Sequence, residues 1–188
     1  MSIFVLLLAG NLLLSPDHGA TALFLCRNAV TTHLETGRFI ETGGLPPEFN
    51  RPAAVFVTIR KNGTTRGCAG SLTPLFATLG ESLIRFAVIA ATQDARFPSL
   101  SRPELQDVRF IITLPGEVVP LSSLASYNPL TEGLLVRKNG REGIIVPHEA
   151  KTAAYALRQC RRQAGIEEGE EYSLYKFSAF TLAEETRK

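Results

Sequence analysis

AAVFVTIRKNGTTRGCAGSL, residues 53–72, is the stretch around which the chain can be read. Ala53 to Arg60 alternates as a strand does, with Val55, Val57 and Ile59 on one face and Phe56 on the other. Asn62-Gly63 follows, and that dipeptide suits the two-residue turn whose central residues both take positive φ. The return strand, Thr64 to Leu72, is predicted to be broken at Gly67 and Gly70. A second hairpin is predicted from Gly133 to Lys138 and Glu142 to Val146, around Asn139-Gly140. Arg60-Lys61-Asn62-Gly63 thus reappears as Arg137-Lys138-Asn139-Gly140. Shared turn chemistry accounts for this four-residue echo, and no longer repeat is visible.

Helices and strands extend the pattern outward. Ser15-Pro16-Asp17 reads as a helix start, with a capping Ser, Pro in the first turn and an acid behind it. Ala20, Leu23, Phe24, Val30 and Leu34 recur at helical spacing, and Gly37 closes the helix. Residues 38–52 read as a loop. Thr73-Pro74 predicts a second helix over about 75–92. Residues 94–103 read as irregular. Val108 to Leu114 is a predicted strand ended by a Pro115-Gly116 turn, and 117–132 again read as irregular. A third helix is predicted from Glu149 to Ala164, stopping at Gly165, and a last strand over Tyr172 to Leu182. The tail from Glu184 onward is expected to fray. Hairpins interspersed with helices, without regular βαβ alternation, predict an α+β fold of antiparallel sheets flanked by helices.

Composition narrows the function classes. The chain has 188 residues, 45% of them hydrophobic and 20% charged, which excludes a disordered chain. Its 20 basic and 18 acidic residues leave a net charge of +2, no general field for nucleic acid or an anionic membrane. Ile3 to Leu14 is apolar but falls short of the ~20 residues that span a bilayer. It also lacks the basic residues that precede a secretory signal, so no membrane association is expected. Cys26, Cys68 and Cys160 form no C-x-x-C pair, which argues against a disulfide scaffold or a zinc ribbon and for a reduced, cytoplasmic setting. His18, His33 and His148 have no ligand spacing, so no metal site is predicted.

Three places carry candidate chemistry. In Arg66-Gly67-Cys68-Ala69-Gly70, two glycines flank a thiol and let backbone approach a ligand, and Arg66 is placed to favour a thiolate. Cys68 is therefore the candidate nucleophile, or alternatively a small packing residue in a bulged strand. Asp94 follows a helix C-terminus, where a negative charge needs compensation, and Arg96 or Arg66 can supply it. His148-Glu149 is either an acid/base pair or a helix cap. Lys151, Arg158, Arg161 and Arg162 form a basic helix face.

These residues resemble a known family. Arg66-Gly67-Cys68-Ala69-Gly70 is similar to the Arg-Gly-Cys-Ile-Gly signature of the AMMECR domain family. Asp94-Ala95-Arg96-Phe97-Pro98 is similar to its Asp-Pro-Arg-Phe-Pro block, and Gly133-Leu134-Leu135-Val136 to its Gly-Leu-Ile-Val strand. Ile145-Val146-Pro147 through Gly165-Ile166 resembles its Leu-Pro-x-Val-Ala helix. Thr65 stands where the family has Leu and Ala69 where it has Ile. His148-Glu149-Ala150 replaces Gln-Val-Ala, and the family's Trp residues are missing, so the chain reads as a divergent member. The resemblance implies an AMMECR-like domain over residues 15–182, with an apolar extension over 1–14 and a polar tail over 183–188. It implies a larger and a smaller subdomain with a cleft between them and the signature beside it. It also implies an association with Memo-like and radical SAM proteins. It assigns no reaction and no cofactor.

Three functions follow as expectations. In the first, an enzyme or substrate-binding component, Cys68 attacks or holds a substrate that Arg66, Gly67 and Gly70 contact. Asp94 and Arg96 brace the loop, and His148 is an acid/base candidate. In the second, an adaptor, the Arg66 loop docks a protein. The third is nucleic-acid binding through the basic helix, which the charge balance disfavours.

Overall fold

The computed structural model describes residues 7–9, 12–14 and 16–185. Its elements are β1 (Leu7–Ala9), β2 (Leu12–Leu14), α1 (Pro16–Thr36), β3 (Val55–Lys61), β4 (Thr64–Ser71), α2 (Leu79–Thr92), β5 (Val108–Pro120), β6 (Glu132–Lys138), β7 (Arg141–Ile145), α3 (Ala153–Gln163) and β8 (Ser173–Ala183). β1 pairs antiparallel with β2 within the apolar N-terminal stretch. Gly10-Asn11, which suits a tight turn as well as a helix interruption, and the capping Ser15 lie outside the described residues. The other six strands form one sheet in the order β4-β3-β5-β8-β6-β7. This is the α+β architecture predicted from the hairpins.

The chain divides into two compact units, residues 1–114 with 181–188 and residues 115–180. In the first, β3 pairs antiparallel with β4 and β5, and α2 follows the hairpin. Its core joins Val55, Val57, Ile59, Phe110 and Ile112 to Leu79, Leu83, Ala87 and Val88 of α2. In the second, β6 pairs antiparallel with β7 and β8, and α3 follows the hairpin. Its core joins Leu134, Val136 and Ile145 to Ala156 and Cys160 of α3. Fully burying each large apolar side chain contributes roughly 1.5–3 kcal/mol.

The four-residue echo extends well beyond turn chemistry. Both turns place Asn and Gly at positive φ: Asn62 (51°) and Gly63 (76°), Asn139 (48°) and Gly140 (77°). Gly67 of β4 lies so close to α2 that a Cβ there would sit 2.0 Å from the Ala90 carbonyl oxygen. Gly143 of β7 lies against α3 in the same way, 1.8 Å from the Cys160 carbonyl oxygen. Lys61 pairs with Glu104, downstream of α2, and Lys138 with Glu170, downstream of α3.

Several boundaries differ from the sequence reading. The predicted break of β4 at its glycines is instead a continuous strand carrying a bulge, with Gly67 packed against α2 and Gly70 against Phe56 of β3. α2 begins at Leu79, not Leu75, because Thr78 is the cap: its hydroxyl accepts from Glu81 N–H at 3.0 Å. α3 begins at Ala153, not Glu149, capped by Thr152. β5 runs through the predicted Pro115-Gly116 turn to Pro120, with Gly116 packed against Ser178. On α1 the buried stripe is Ala22, Leu25, Cys26, Ala29 and Val30, while Phe24 is 69% exposed. Glu184 does not fray. Arg27 donates to both its carboxylate oxygens, and Phe110 N–H donates to it at 2.9 Å.

Candidate functional site

β4 is an edge strand, and Arg66, Cys68 and their partners lie along it. Ile59 pairs with Gly67 and Arg60 with Thr65, so Arg66 is an extra residue left over in the ladder. Such a bulge re-aims a side chain and ends regular pairing. The Arg66 guanidinium meets Glu104 through Nε to Oε1 (3.3 Å) and Nη2 to Oε2 (3.1 Å). Glu104 also accepts from Lys61 Nζ at 3.0 Å and from Ser101 N–H at 3.1 Å. The hydrogen bonds from Arg66, then Ser101 and Lys61, hold the Glu104 carboxyl down at about 2.

Cys68 is pinned from two sides. Its outward backbone N–H donates to Asp94 Oδ2 at 2.9 Å. Its Sγ accepts from the Thr58 hydroxyl at 3.2 Å, across the ladder position where the two residues face each other. Asp94 lies just beyond α2, and its side chain is only 7% exposed. Burial works to raise its carboxyl. Hydrogen bonds from the Arg96 side chain, the Arg96 N–H and the Cys68 N–H outweigh that and hold it below the ordinary value. The Arg96 contacts are Nε to Oδ1 at 2.9 Å and Nη2 to Oδ2 at 2.7 Å. Thus Arg96, not Arg66, compensates the acid at the helix end. Both guanidiniums lie over the Phe97 ring, at 5.7 Å for Arg66 and 5.5 Å for Arg96.

The structure thus brings Arg66, Gly67, Cys68, Gly70, Asp94 and Arg96 together on one strand edge. The glycines serve packing: Gly67 admits the Ala90 carbonyl, and Gly70 lies against Phe56. His148 belongs to the second unit. It is exposed, takes φ +66° and donates its backbone N–H to Pro129 O at 2.9 Å. Thr152 provides the cap that His148-Glu149 was expected to give. On α3, Arg158 lies over the Tyr155 ring and Arg161 over the Tyr172 ring. Among the described residues, no group of three or more His, Cys, Asp or Glu could hold a metal ion. Nor is any helix there long and apolar enough to cross a membrane.

The three cysteines differ. None forms a disulfide, and Cys26 and Cys160 are fully buried whereas Cys68 is half-buried. Burial pushes the Cys160 thiol up to about 12 and the Cys26 thiol higher still. Neither buried thiol is suited to nucleophilic chemistry near neutral pH.

The sequence reading missed Thr58 and Glu104. Thr58 is hidden as one polar residue inside an apolar strand. Ser101-x-x-Glu104 is a capping-box pattern, which the structure forms, and it was the available signal for Glu104.

The AMMECR1 family profile matches residues 23–182. The chain belongs to the AMMECR1 family. A Thermotoga maritima protein is 32% identical over 155 residues, covering 79% of this chain and 89% of that protein. A Methanocella arvoryzae protein is 35% identical over 137 residues, covering 72% of this chain and 66% of that protein. The crystal structure of an uncharacterized protein from Pyrococcus horikoshii is similar, with a TM-score of 0.74 and 25% identity over 87% of this chain and 89% of that one. The AMMECR1 match takes in both hairpins and both helices that follow them.

Proposed function

We propose that this AMMECR1-family chain is a thiol-dependent enzyme, or the substrate-binding component of one, working at Cys68. The observation that carries the reading is the difference between the two hairpins. The ladder positions of Cys68 and Thr58 in the first unit correspond to Ile144 and Leu135 in the second. A thiol with a hydroxyl donor stands where the sister hairpin has two aliphatic side chains. A hydrogen bond to sulfur favours its charged, nucleophilic form. Asp94, Arg96, Arg66 and Glu104 hold the strand rigid around it, which is what a reacting group requires. The absence of disulfides supports a reducing, cytoplasmic setting. Iodoacetamide labelling against pH tests the reading. Cys68 is expected to label faster near neutral pH than a free thiol, and labelling no faster than that sinks the nucleophile.

A second reading is favoured by the built surface at Phe97, which two paired guanidiniums flank. In it, the edge docks a protein, and the family resemblance points to Memo-like and radical SAM partners. Pull-down of such partners with wild type and Arg66→Ala tests it. Unchanged recovery removes the edge as a docking site.

A further inference from the structure

We propose that Thr113 is a positioning residue for Cys68, acting through a water molecule bound between its hydroxyl and that of Thr58. The inference rests on the reading of Cys68 as the working thiol and names what sets its reactivity.

Strand register puts the three groups on one sheet face. Cys68 faces Thr58 across β4 and β3, Thr58 faces Ile111 across β3 and β5, and Phe56 faces Thr113. Thr58 and Thr113 therefore share one sheet face as diagonal neighbours, with Cα atoms about 7–8 Å apart and Cβ atoms somewhat closer. Phe56, the residue opposite Thr113, turns its ring toward β4. Its Cδ1 lies 2.4 Å from where a Gly70 Cβ would be.

Thr113 is fully buried, and its Oγ1 has no hydrogen-bond partner among the protein groups. Buried polar atoms are satisfied by protein or by ordered water. One water making two hydrogen bonds of ~2.8 Å spans the gap expected between the two oxygens. The directions follow from Thr58 donating to Cys68 and from Thr113 having no other acceptor for its proton. Thr58 spends its only hydroxyl proton on Cys68 Sγ, so a partner on its other side must donate to it. Thr113 then gives its proton to the water, and the water gives one to Thr58. Every donor in the chain points toward sulfur, which favours the thiolate.

The sister hairpin lacks the whole row. By the same register, Ile144, Leu135 and Phe177 occupy the positions of Cys68, Thr58 and Thr113. The charged groups around the row are shared by every variant below. Arg60 and Arg109 face each other on this side of β3 and β5, and each donates to a backbone carbonyl. Asp94, paired with Arg96, sits on the Cys68 N–H.

The test has two readouts: a high-resolution crystal structure of the full chain, and iodoacetamide titration of Cys68 in Thr58→Val, Thr113→Val and Thr113→Ser. The expected result is a water within hydrogen-bond reach of both hydroxyls. Alkylation at pH 7 should slow about tenfold in Thr58→Val and about threefold in Thr113→Val, and Thr113→Ser should behave as wild type. No water at that position, or Thr113→Val titrating as wild type while Thr58→Val shifts, overturns the proposal. The thiol reading of the function fails on a separate outcome: the variants shift as expected, yet wild-type Cys68 is no faster than a free thiol.

Discussion

The two hairpin–helix–strand units assemble the same parts in the same order and differ at the edge strand. In each, an outward backbone N–H is capped by a side-chain oxygen from the end of the following helix. Asp94 takes Cys68 N–H at 2.9 Å, and Gln163 takes Ile144 N–H at 2.8 Å. Both caps quench an exposed sheet edge, where unpaired N–H groups invite association. The second unit does this with a neutral amide and apolar neighbours. The first uses a carboxylate clamped by Arg96, inserts Arg66 through a bulge and places a thiol under the cap. Edge protection alone needs only what the second unit has. The extra charge, the bulge and the sulfur in the first are what call for a functional account.

The shared parts give the largest expected effect. Gly67→Ala and Gly143→Ala each drive a Cβ into a helix carbonyl. Each should destabilise by about 3 kcal/mol or more, the upper end for overpacking, because backbone cannot step aside. Urea unfolding checks this, and a neutral effect at one site only would break the equivalence of the hairpins.

The caps should differ in the sense their charge dictates. Asp94→Ala strips Arg96 and Cys68 N–H of a nearly buried partner and should cost about 2–3 kcal/mol, as for hydrogen bonds to charged groups. Gln163→Ala removes one neutral hydrogen bond and should cost about 1 kcal/mol. Equal costs in urea unfolding would mean that the charged clamp adds nothing.

Acid should then separate the carboxylates of the first edge, Asp94 and Glu104, from the neutral Gln163 cap. Asp94 and Glu104 are both held below their ordinary values. Each therefore stabilises the fold above its unfolded-state pKa, and that contribution is lost as pH falls through the folded value. For Glu104 the window runs from 4.5 down to about 2. Glu104→Gln should flatten the acid limb of stability there. Gln163→Ala should leave that limb unchanged, because an amide does not titrate.

How far these differences were legible in sequence depends on range. Asn62-Gly63 and Asn139-Gly140 announced both hairpins because turn conformation is local. Gly67 reads as a strand break or a ligand approach and Gly143 as nothing special, since their need for space arises from helices that come later in the chain. Thr73-Pro74 drew the start of α2 too early. The Thr78-x-x-Glu81 cap, equally local, was the stronger signal. Pro115-Gly116 looked like a turn, yet β5 continues through it, because strand pairing overrides a local preference. Of the site, Cys68, Asp94 and Arg96 were visible as residue types beside glycines. Thr58, Glu104 and Thr113 were not, because cross-strand register decides which residues face one another.

The most direct test puts a thiol in both hairpins. Ile144→Cys in a Cys68→Ser background gives the second unit a sulfur under a capped N–H, but beside Leu135 instead of a hydroxyl. Its iodoacetamide rate at pH 7 is compared with that of wild-type Cys68, each confirmed by peptide mapping. The account predicts that Cys68 reacts about tenfold faster, the equivalent of roughly one pKa unit. Equal rates would contradict it, because the surroundings of Cys68 would then give its sulfur nothing that the shared hairpin does not.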